Sequence, residues 1–412
     1  MKTERAKKKS DVAWLAGVYV PSSWHRTKVK HLVSEMRAGD AITSERIEDS
    51  GNVPVYGGNG VRGFTEAPTH DGVHVLIGRQ GALCGNVHLA RGAFWASEHA
   101  IVSTPARNVD ARWLAHLLRT MDLGRYSVTA AQPGIGVAQI SALDAYLPSL
   151  EEQEAIADFL DEQTSRIDTL ISKQNQLIDT LRERRAAVIS HAVENRAPNT
   201  VLRRHLRGIR QGWSPNCYPE SADGVDEWGI LKTGCSNGGI FRPWENKRLP
   251  DGEEPRREHA VVQGEIVMSR ANTRGFVGSP AVVKRNHPKL MLSDLNYGLT
   301  TRETLSADYA VYVLVGRRAR REIEGRAKGS SPSMQKLSQG DVLALPIFVP
   351  AIHEQQEIVG HLDEQTSRID VLITKTQEHI ALAKERRAAL TTAVVTGQID
   401  VRAAGRAVTL GV

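Results

Sequence analysis

Apolar residues recur at 3-4 spacing along two stretches of this chain and break into short runs elsewhere. In the first stretch Ile156, Leu160, Ile167, Leu170, Leu177, Leu181 and Val188 hold that spacing, with Gln163, Gln174 and Arg184 filling the gaps. No Pro or Gly interrupts 149–196, so the spacing predicts one long helix whose seam suits a second helix. The second stretch keeps Ile358, Leu362, Ile369, Leu372 and Leu390. It puts Thr376, His379 and Ala383 on the seam, beside a parallel stripe at Ile373, Ile380 and Leu382. Polar seam residues weaken a homodimer but specify one partner and one register.

The two stretches are copies. Residues 161–190 (DEQTSRIDTLISKQNQLIDTLRERRAAVIS) and 363–392 (DEQTSRIDVLITKTQEHIALAKERRAALTT) share 17 of 30 positions at a constant offset of 202. The match extends upstream, where Pro148, Glu152, Gln153 and Ile156 pair with Pro350, Glu354, Gln355 and Ile358. The economical reading is that the two helices pair with each other within the chain.

Between them the pattern changes. Segments 12–147 and 200–346 are rich in Gly, Pro, Trp and β-branched residues, with runs such as VHVLIG (73–78), GEIVMSR (264–270) and YAVYVLV (309–315). These read as short strands broken by turns, with some helix near 111–123 and 308–324. The division predicted is a basic N-terminal tail at 1–11, a globular domain at 12–147 and a helix at 148–196. A second domain at 197–346, a second helix at 347–400 and a C-terminal tail at 401–412 follow.

Charge sharpens this division. Of 412 residues, 53 are Lys or Arg and 47 Asp or Glu, a formal net of +6. Residues 151–196 hold ten acids and six bases, and 351–400 hold eight and five, so the helices are net −4 and −3. The remainder therefore carries +13. Clustered positive charge on globular domains points to a polyanion, most often nucleic acid. The acidic helices are not themselves phosphate-tracking elements.

Enzyme signatures are weak or missing. Gly58-Asn59-Gly60-Val61-Arg62-Gly63 fits GxGxxG, but it runs into Phe64-Thr65-Glu66-Ala67-Pro68 rather than a helix. Gly234-Cys235-Ser236-Asn237-Gly238 fits GxSxG, yet Gly239, Pro243 and Pro250 follow where that elbow needs a helix. The chain has no GxxxxGK[ST] loop and no Asn/Asp-Pro-Pro-aromatic tetrapeptide. HEQQE (353–357) lacks a second zinc-binding His, and Cys84, Cys217 and Cys235 are too few for a disulfide framework. No catalytic, cofactor-binding or metal-binding residue is assigned. No apolar run approaches the ~20 residues of a membrane helix, and MKTERAKKKS lacks the apolar core of a secretory signal; a bacterial or archaeal cytoplasm is the expected setting.

At this point the residues resemble a family. Two variable domains, each followed by a helix opening P-x-x-x-EQ-x-x-I and reading DE-x-x-x-x-ID-x-LI, look like the specificity subunit of type I restriction–modification systems. VPVYGGNGVRG (53–63), IGRQGALCGNV (77–87), FWASEHAIV (94–102) and AAQPGI (130–135) are similar to segments of that family's target recognition domains. So are QGWSP (211–215), GEIVMSRAN (264–272) and SSPSMQKLS (330–338), and TGQIDVR (396–402) resembles the usual ending. The resemblance implies an α+β chain of two target recognition domains in tandem, related by a pseudo-two-fold, with the helices paired as an antiparallel coiled coil. It implies a non-catalytic subunit that binds double-stranded DNA, each domain reading half of a bipartite, asymmetric target. Its implied partners are two modification subunits using S-adenosylmethionine and restriction subunits using ATP and Mg.

Thirty residues at ~1.5 Å rise give about 45 Å of helix, long enough to hold two domains a turn of DNA (~34 Å) apart. Arg or Lys reads guanine, and Asn or Gln reads adenine. On that chemistry the candidate contacts are Tyr56, Asn59, Arg62, Arg79 and Gln80 in the first domain and Arg270, Asn272, Arg274, Lys328 and Ser330 in the second. Gly57–Gly60 equally suits a plain hairpin turn. Two other classes stay open: a coiled-coil adaptor without a DNA role of its own, and the recognition part of a self-contained restriction or methylation enzyme.

Overall fold

The computed structural model describes residues 5–127, 133–329, 331 and 334–402. Two compact units make it up: one of the described residues up to Gln174 with those from Glu378 onward, the other of Asn175–Gln377. Both boundaries fall inside a long helix, so each unit holds one globular domain and half of each repeated helix.

In the first unit β1 (Lys7–Lys9) pairs with β2 (Tyr19–Pro21), so the basic tail predicted at 1–11 joins the domain from Lys7 on. Then follow β3 (His25–Lys28), β4 (Val33–Ala38), β5 (Val53–Gly57), β6 (Gly60–Thr65), β7 (Val73–Gly78), β8 (Val87–Arg91), β9 (Trp95–Ala96) and β10 (Ala100–Pro105). Helices α1 (Ala111–Thr120) and α2 (Val137–Ala142) and strand β11 (Asp144–Leu147) lead into α3 (Leu150–Glu194). The strands form an antiparallel sheet in the order β4-β10-β7-β8, a small sheet β6-β5-β9 with one parallel pair, and the pair β11-β3.

The second unit continues with β12 (Thr200–Val201), β13 (Leu206–Gln211), β14 (Gly229–Leu231), β15 (Asn246–Arg248), β16 (Ile266–Ser269), β17 (Ala271–Asn272), β18 (Pro280–Val282), β19 (Leu290–Met291) and β20 (Asn296–Thr301). Helices α4 (Ala307–Val315) and α5 (Arg317–Arg326), strand β21 (Gln335–Lys336), α6 (Gln339–Leu343) and β22 (Pro346–Ile347) precede α7 (Ile352–Val395). Its sheets repeat the first unit's plan. They are β13-β20-β16-β18, then β15-β14-β19 with one parallel pair, then β12-β22. The two domains therefore share one topology although only the helices repeat in sequence.

The run YAVYVLV (309–315) is helical, not a strand: Ser306 caps α4 by accepting from Tyr309 N. The helix expected at 308–324 divides at Gly316, where the backbone is extended. There α3 supplies the cap of α5, because Arg317 N donates to Ser190 Oγ (3.1 Å) and Arg318 N to Glu194 Oε1 (2.6 Å).

Each unit pairs its helix halves antiparallel. In the first, Leu160 shares a core with Val394 and Val395, while Asp168 meets Arg387 at 3.0 Å. In the second, Arg185 meets Asp370 at 2.9 Å, while Ile189 and Val193 share a core with Leu362. The two ion pairs are the same pair at the repeat's offset, since 168 and 185 become 370 and 387. They are partly exposed and worth about 1 kcal/mol or less each, so they fix register more than stability.

The seam differs from the expected one. Leu170, Leu177 and Leu372 are 47%, 48% and 51% exposed. The inward stripe is Leu160, Thr164, Ile167, Ile171, Gln174, Ile178, Leu181, Arg185 and Val188, and the same stripe 202 residues on. Ile171 and Ile178 keep isoleucine in the second copy as Ile373 and Ile380, whereas Leu177 becomes His379. The alternative phase would also expose Thr164, which is buried with its hydroxyl on Leu160 O. Of the other expected seam residues, Ile156, Leu181 and Ile369 are buried, and Val188, Ile358 and Leu390 half-buried.

A repeated glutamine fastens each domain to its helix. Gln153 Oε1 accepts from Asp110 N (2.9 Å), and Nε2 donates to Asn108 O (3.2 Å) and Pro148 O (3.0 Å). Gln355 Oε1 accepts from Ser306 N (2.9 Å), and Nε2 donates to Thr304 O and Pro350 O (both 2.9 Å). They are 1% and 0% exposed. Asp110 and Ser306 are the N-caps of α1 and α4, so both carboxamides grip the same place in the fold. Farther along these helices His116 Nε2 lies 3.2 Å from Asp161, and Tyr312 donates to Asp363 at 2.6 Å.

Gln153→Ala and Gln355→Ala each strand an N–H and two carbonyls, and the expected cost is roughly 2–4 kcal/mol in urea unfolding; losses under about 0.5 kcal/mol would refute the fastener. Burial holds His116 below the ordinary histidine value, with Asp161 opposing. The unfolded chain then binds the extra proton, so this share of stability is present above the ordinary histidine pKa of about 6.5 and is lost as pH falls. Between about pH 7.5 and about pH 5.5 the protein should lose more stability than His116→Gln does. Equal pH dependence of the two would overturn this.

Candidate nucleic-acid interface

In the first domain three turns meet at the end of the large sheet. The β5–β6 hairpin turns at Gly57–Gly60, as a plain hairpin and with no helix after the GxGxxG match. Gly78 closes β7 so tightly on the hairpin that a Cβ there would lie 2.0 Å from Gly58 O. The β9–β10 turn supplies Glu98 and His99, and Arg79 N donates to His99 O at 2.8 Å.

This convergence collects the candidate side chains. Asn59 Oδ1 accepts from Asn86 Nδ2 at 2.7 Å, and Gln80 Oε1 lies 3.1 Å from His99 Nδ1. All four belong to loops or strand ends. Arg62 is exposed on β6, its stem along Gly57. Arg79 is half-buried and donates from Nη1 to Glu98 O at 3.3 Å. Tyr56 is half-buried: its ring packs edge-to-face on Phe94 (5.6 Å) against a cluster of Leu76, Ala90, Ala96 and Val102. Burial raises its pKa. Asn86 and His99 were not among the sequence candidates. Gly85, at φ +87°, turns Asn86 back toward the hairpin, a signal present in CGNV but unreadable without the fold.

The second domain builds its cluster on the same frame. Arg270 N donates to Leu295 O (2.8 Å), Leu337 N donates to Arg270 O (3.0 Å), and Arg270 Nη1 donates to Asp294 O (3.1 Å). In the first domain Arg79 N and Nη1 make the matching contacts, and Ile135 N donates to Arg79 O at 2.9 Å. Arg79 and Arg270 are thus counterparts, each clamped through its main chain and tied to one carbonyl. Around Arg270 the side chains differ. Asn272 Nδ2 reaches Asn237 Oδ1 (3.3 Å) and Thr233 O (3.4 Å), and Arg242 donates to Asn237 O. Gln211 donates to Asp294 O at 2.9 Å, and Ser214 to the Asp294 carboxylate. Asn237 and Arg242 were not sequence candidates.

Strand β17 pairs with β21 through Ala271–Lys336 and Asn272–Gln335, and Lys328 bridges Lys336. Lys328 and Arg274 are exposed, with no ion pair among the described residues. Ser330 lies outside the described residues, as does part of AAQPGI. The GxSxG match is not a nucleophile elbow: Ser236 is fully buried and donates to Ser279 O at 2.8 Å, and burial pushes the Cys235 thiol pKa up. Among the described residues no helix is long and apolar enough to cross a membrane.

The arrangement suits recognition: exposed carboxamides, an imidazole and guanidinium groups on short loops stiffened by a sheet. Comparison with known proteins agrees. Residues 21–180 match the family described as type I restriction modification DNA specificity domain. Over 142 residues, 34% of each chain, the protein is 44% identical to the type I restriction enzyme EcoprrI specificity subunit of Escherichia coli. Over 174 residues it is 30% identical to the EcoEI specificity subunit of the same organism, covering 42% of this chain and 29% of that one. The matches thus span about a third of the length of these relatives. A solved chain from work on complex assembly and conformational transition of the type I R-M system superposes with a TM-score of 0.68 at 15% identity. It covers 92% of this chain and 99% of the other, a likeness of fold.

Proposed function

We propose, from the match of residues 21–180 to the type I restriction modification DNA specificity domain, that the whole chain is a specificity subunit of a type I restriction–modification complex. It binds double-stranded DNA and leaves the chemistry to partners. The observation that carries this is the second domain: it lies outside the family match yet has the same sheet orders and the same clamped arginine as the first. Two readers of one design and different side chains suit a target in two unlike halves.

The reading assigns the repeated helices the role of spacer. Two modification subunits are the proposed partners. In support, Leu170 and Leu372, left out of the seam, recur at the repeat's offset and are about half exposed. Such a patch, present twice, suits two copies of one partner. Those subunits would supply S-adenosylmethionine, and restriction subunits would supply ATP and Mg; the cytoplasm, where the DNA is, would be their place of work.

Co-expression with modification subunits followed by sequencing for N6-methyladenine tests the reading. The expected result is a bipartite motif with an unread gap, and exchange of residues 12–147 for another such domain should change one half only. A continuous motif, or both halves changing, would overturn it. Methyl transfer from labelled S-adenosylmethionine by the purified chain alone would overturn the non-catalytic role.

A further inference from the structure

Both domains place an arginine over a tryptophan ring at one and the same place in the fold. We propose that these two, Arg46 and Arg256, are phosphate contacts to the DNA backbone, one for each domain; the proposal rests on the function proposed above.

The place is set by a glycine at the end of a strand. In the first domain Gly39 directly follows β4, and a Cβ there would lie 2.3 Å from Ala96 O; in the second Gly212 directly follows β13, and a Cβ there would lie 1.9 Å from Leu292 O. The next residue in each docks its N–H on the small sheet, Asp40 on Ala96 O (2.9 Å) and Trp213 on Leu292 O (3.1 Å). At this corner the first domain puts Trp95, whose Nε1 donates to Asp40 O at 3.2 Å, and the second puts Trp213 itself. The Arg46 guanidinium lies 4.9 Å from the Trp95 ring centre, and that of Arg256 lies 4.2 Å from Trp213. The tryptophans come from unrelated positions, β9 in one case and two residues past β13 in the other. The arginines come from different loops, Arg46 ending a 3-10 turn and Arg256 preceding one. Shared ancestry of sequence does not account for a pair built from different parts.

Covering a ring does not account for it either. Arg5, Arg196 and Arg248 also stack on aromatic rings, and each is engaged by a carboxylate, on Glu152, Glu354 and Asp251 respectively. Arg125 donates to the Tyr126 hydroxyl. Among the described residues Arg46 and Arg256 have neither an acidic partner nor a side-chain hydrogen bond, and both are exposed. The ring holds each guanidinium in place without spending its N–H groups, and a guanidinium meets a phosphate in two parallel hydrogen bonds. The ligand class follows from what the domains share. Two readers of different half-sites must differ where they touch bases, and what they hold in common is addressed to what all duplex DNA has in common, its backbone.

The test uses the full chain assembled with its modification subunits, and fluorescence anisotropy with two duplexes, the target found by methylation mapping and a scrambled one, across a salt series. Arg46→Gln and Arg256→Gln should each weaken both duplexes about eightfold near 0.1 M salt and flatten the log–log salt slope by about 0.9. The double variant should reach roughly 60-fold. The ratio of target to scrambled affinity stays unchanged. Arg46→Lys and Arg256→Lys, which keep the charge, should restore most of the slope. Unaltered affinity and slope in the glutamine variants would overturn the proposal, as would a loss confined to the target duplex, which marks a base contact. Lysine variants that behave like the glutamine ones would overturn it too, since the loss would then be structural. If the unmutated complex shows no salt-dependent duplex binding, the proposed function itself fails, a distinct result.

Discussion

A buried carboxamide decides how each domain sits on the helices that carry it. Gln153 and Gln355 each satisfy one N–H and two carbonyls of main chain that would otherwise be stranded at a dry junction. An orphaned buried group costs about 1–3 kcal/mol, so neither side of the junction is free to drift. The demand falls on the helix as much as on the domain. It must offer Gln at one position, a Pro carbonyl five residues before it, and an acid about two turns later for His116 or Tyr312. This is why the helical copies stay alike at Pro148, Gln153 and Asp161 and their partners 202 residues on, while the domains they fasten have diverged beyond sequence comparison.

Divergence within a constant frame separates holding from reading. Arg79 and Arg270 occupy one position, with their main chains clamped and one guanidinium nitrogen spent on the carbonyl of Glu98 or Asp294. A residue so placed in both domains stiffens the loop around it. The side chains beside it are not shared: Asn59, Asn86, Gln80 and His99 in one, Asn237, Asn272 and Arg242 in the other. Carboxamides suit adenine and guanidinium suits guanine, so the unshared set has the chemistry to give each domain its own sequence. The shared set gives both the same grip.

Much of this was legible in the sequence, and the failures have physical causes. The helices were legible because a repeat at constant offset and an unbroken apolar period are signals that tertiary context rarely overrides. The seam phase was missed because Leu170 and Ile171, like Leu177 and Ile178, are adjacent and both apolar, so one copy alone fits either phase. Only the comparison of Ile178 with Ile380 against Leu177 with His379 breaks the tie. YAVYVLV is apolar throughout and has no period to read, so its helical state rests on the Ser306 cap. The domain topology stayed hidden because strands such as β9 and β19 are two residues long and pair in parallel with distant partners. Glycine-rich loops did locate the candidate cluster. The packing of Tyr56 on Phe94 was not legible, because the two residues are 38 positions apart.

The repeat also explains how one sequence motif can supply both sides of an interface. In a two-fold dimer residue i meets j while j′ meets i′, and this chain reproduces that rule internally: Asp168 meets Arg387, and its copy Asp370 meets Arg185, the counterpart of Arg387. A perfectly duplicated helix would pair equally well with another chain. The copies depart from identity on the inward stripe itself, where Gln174 becomes Thr376 and Leu181 becomes Ala383.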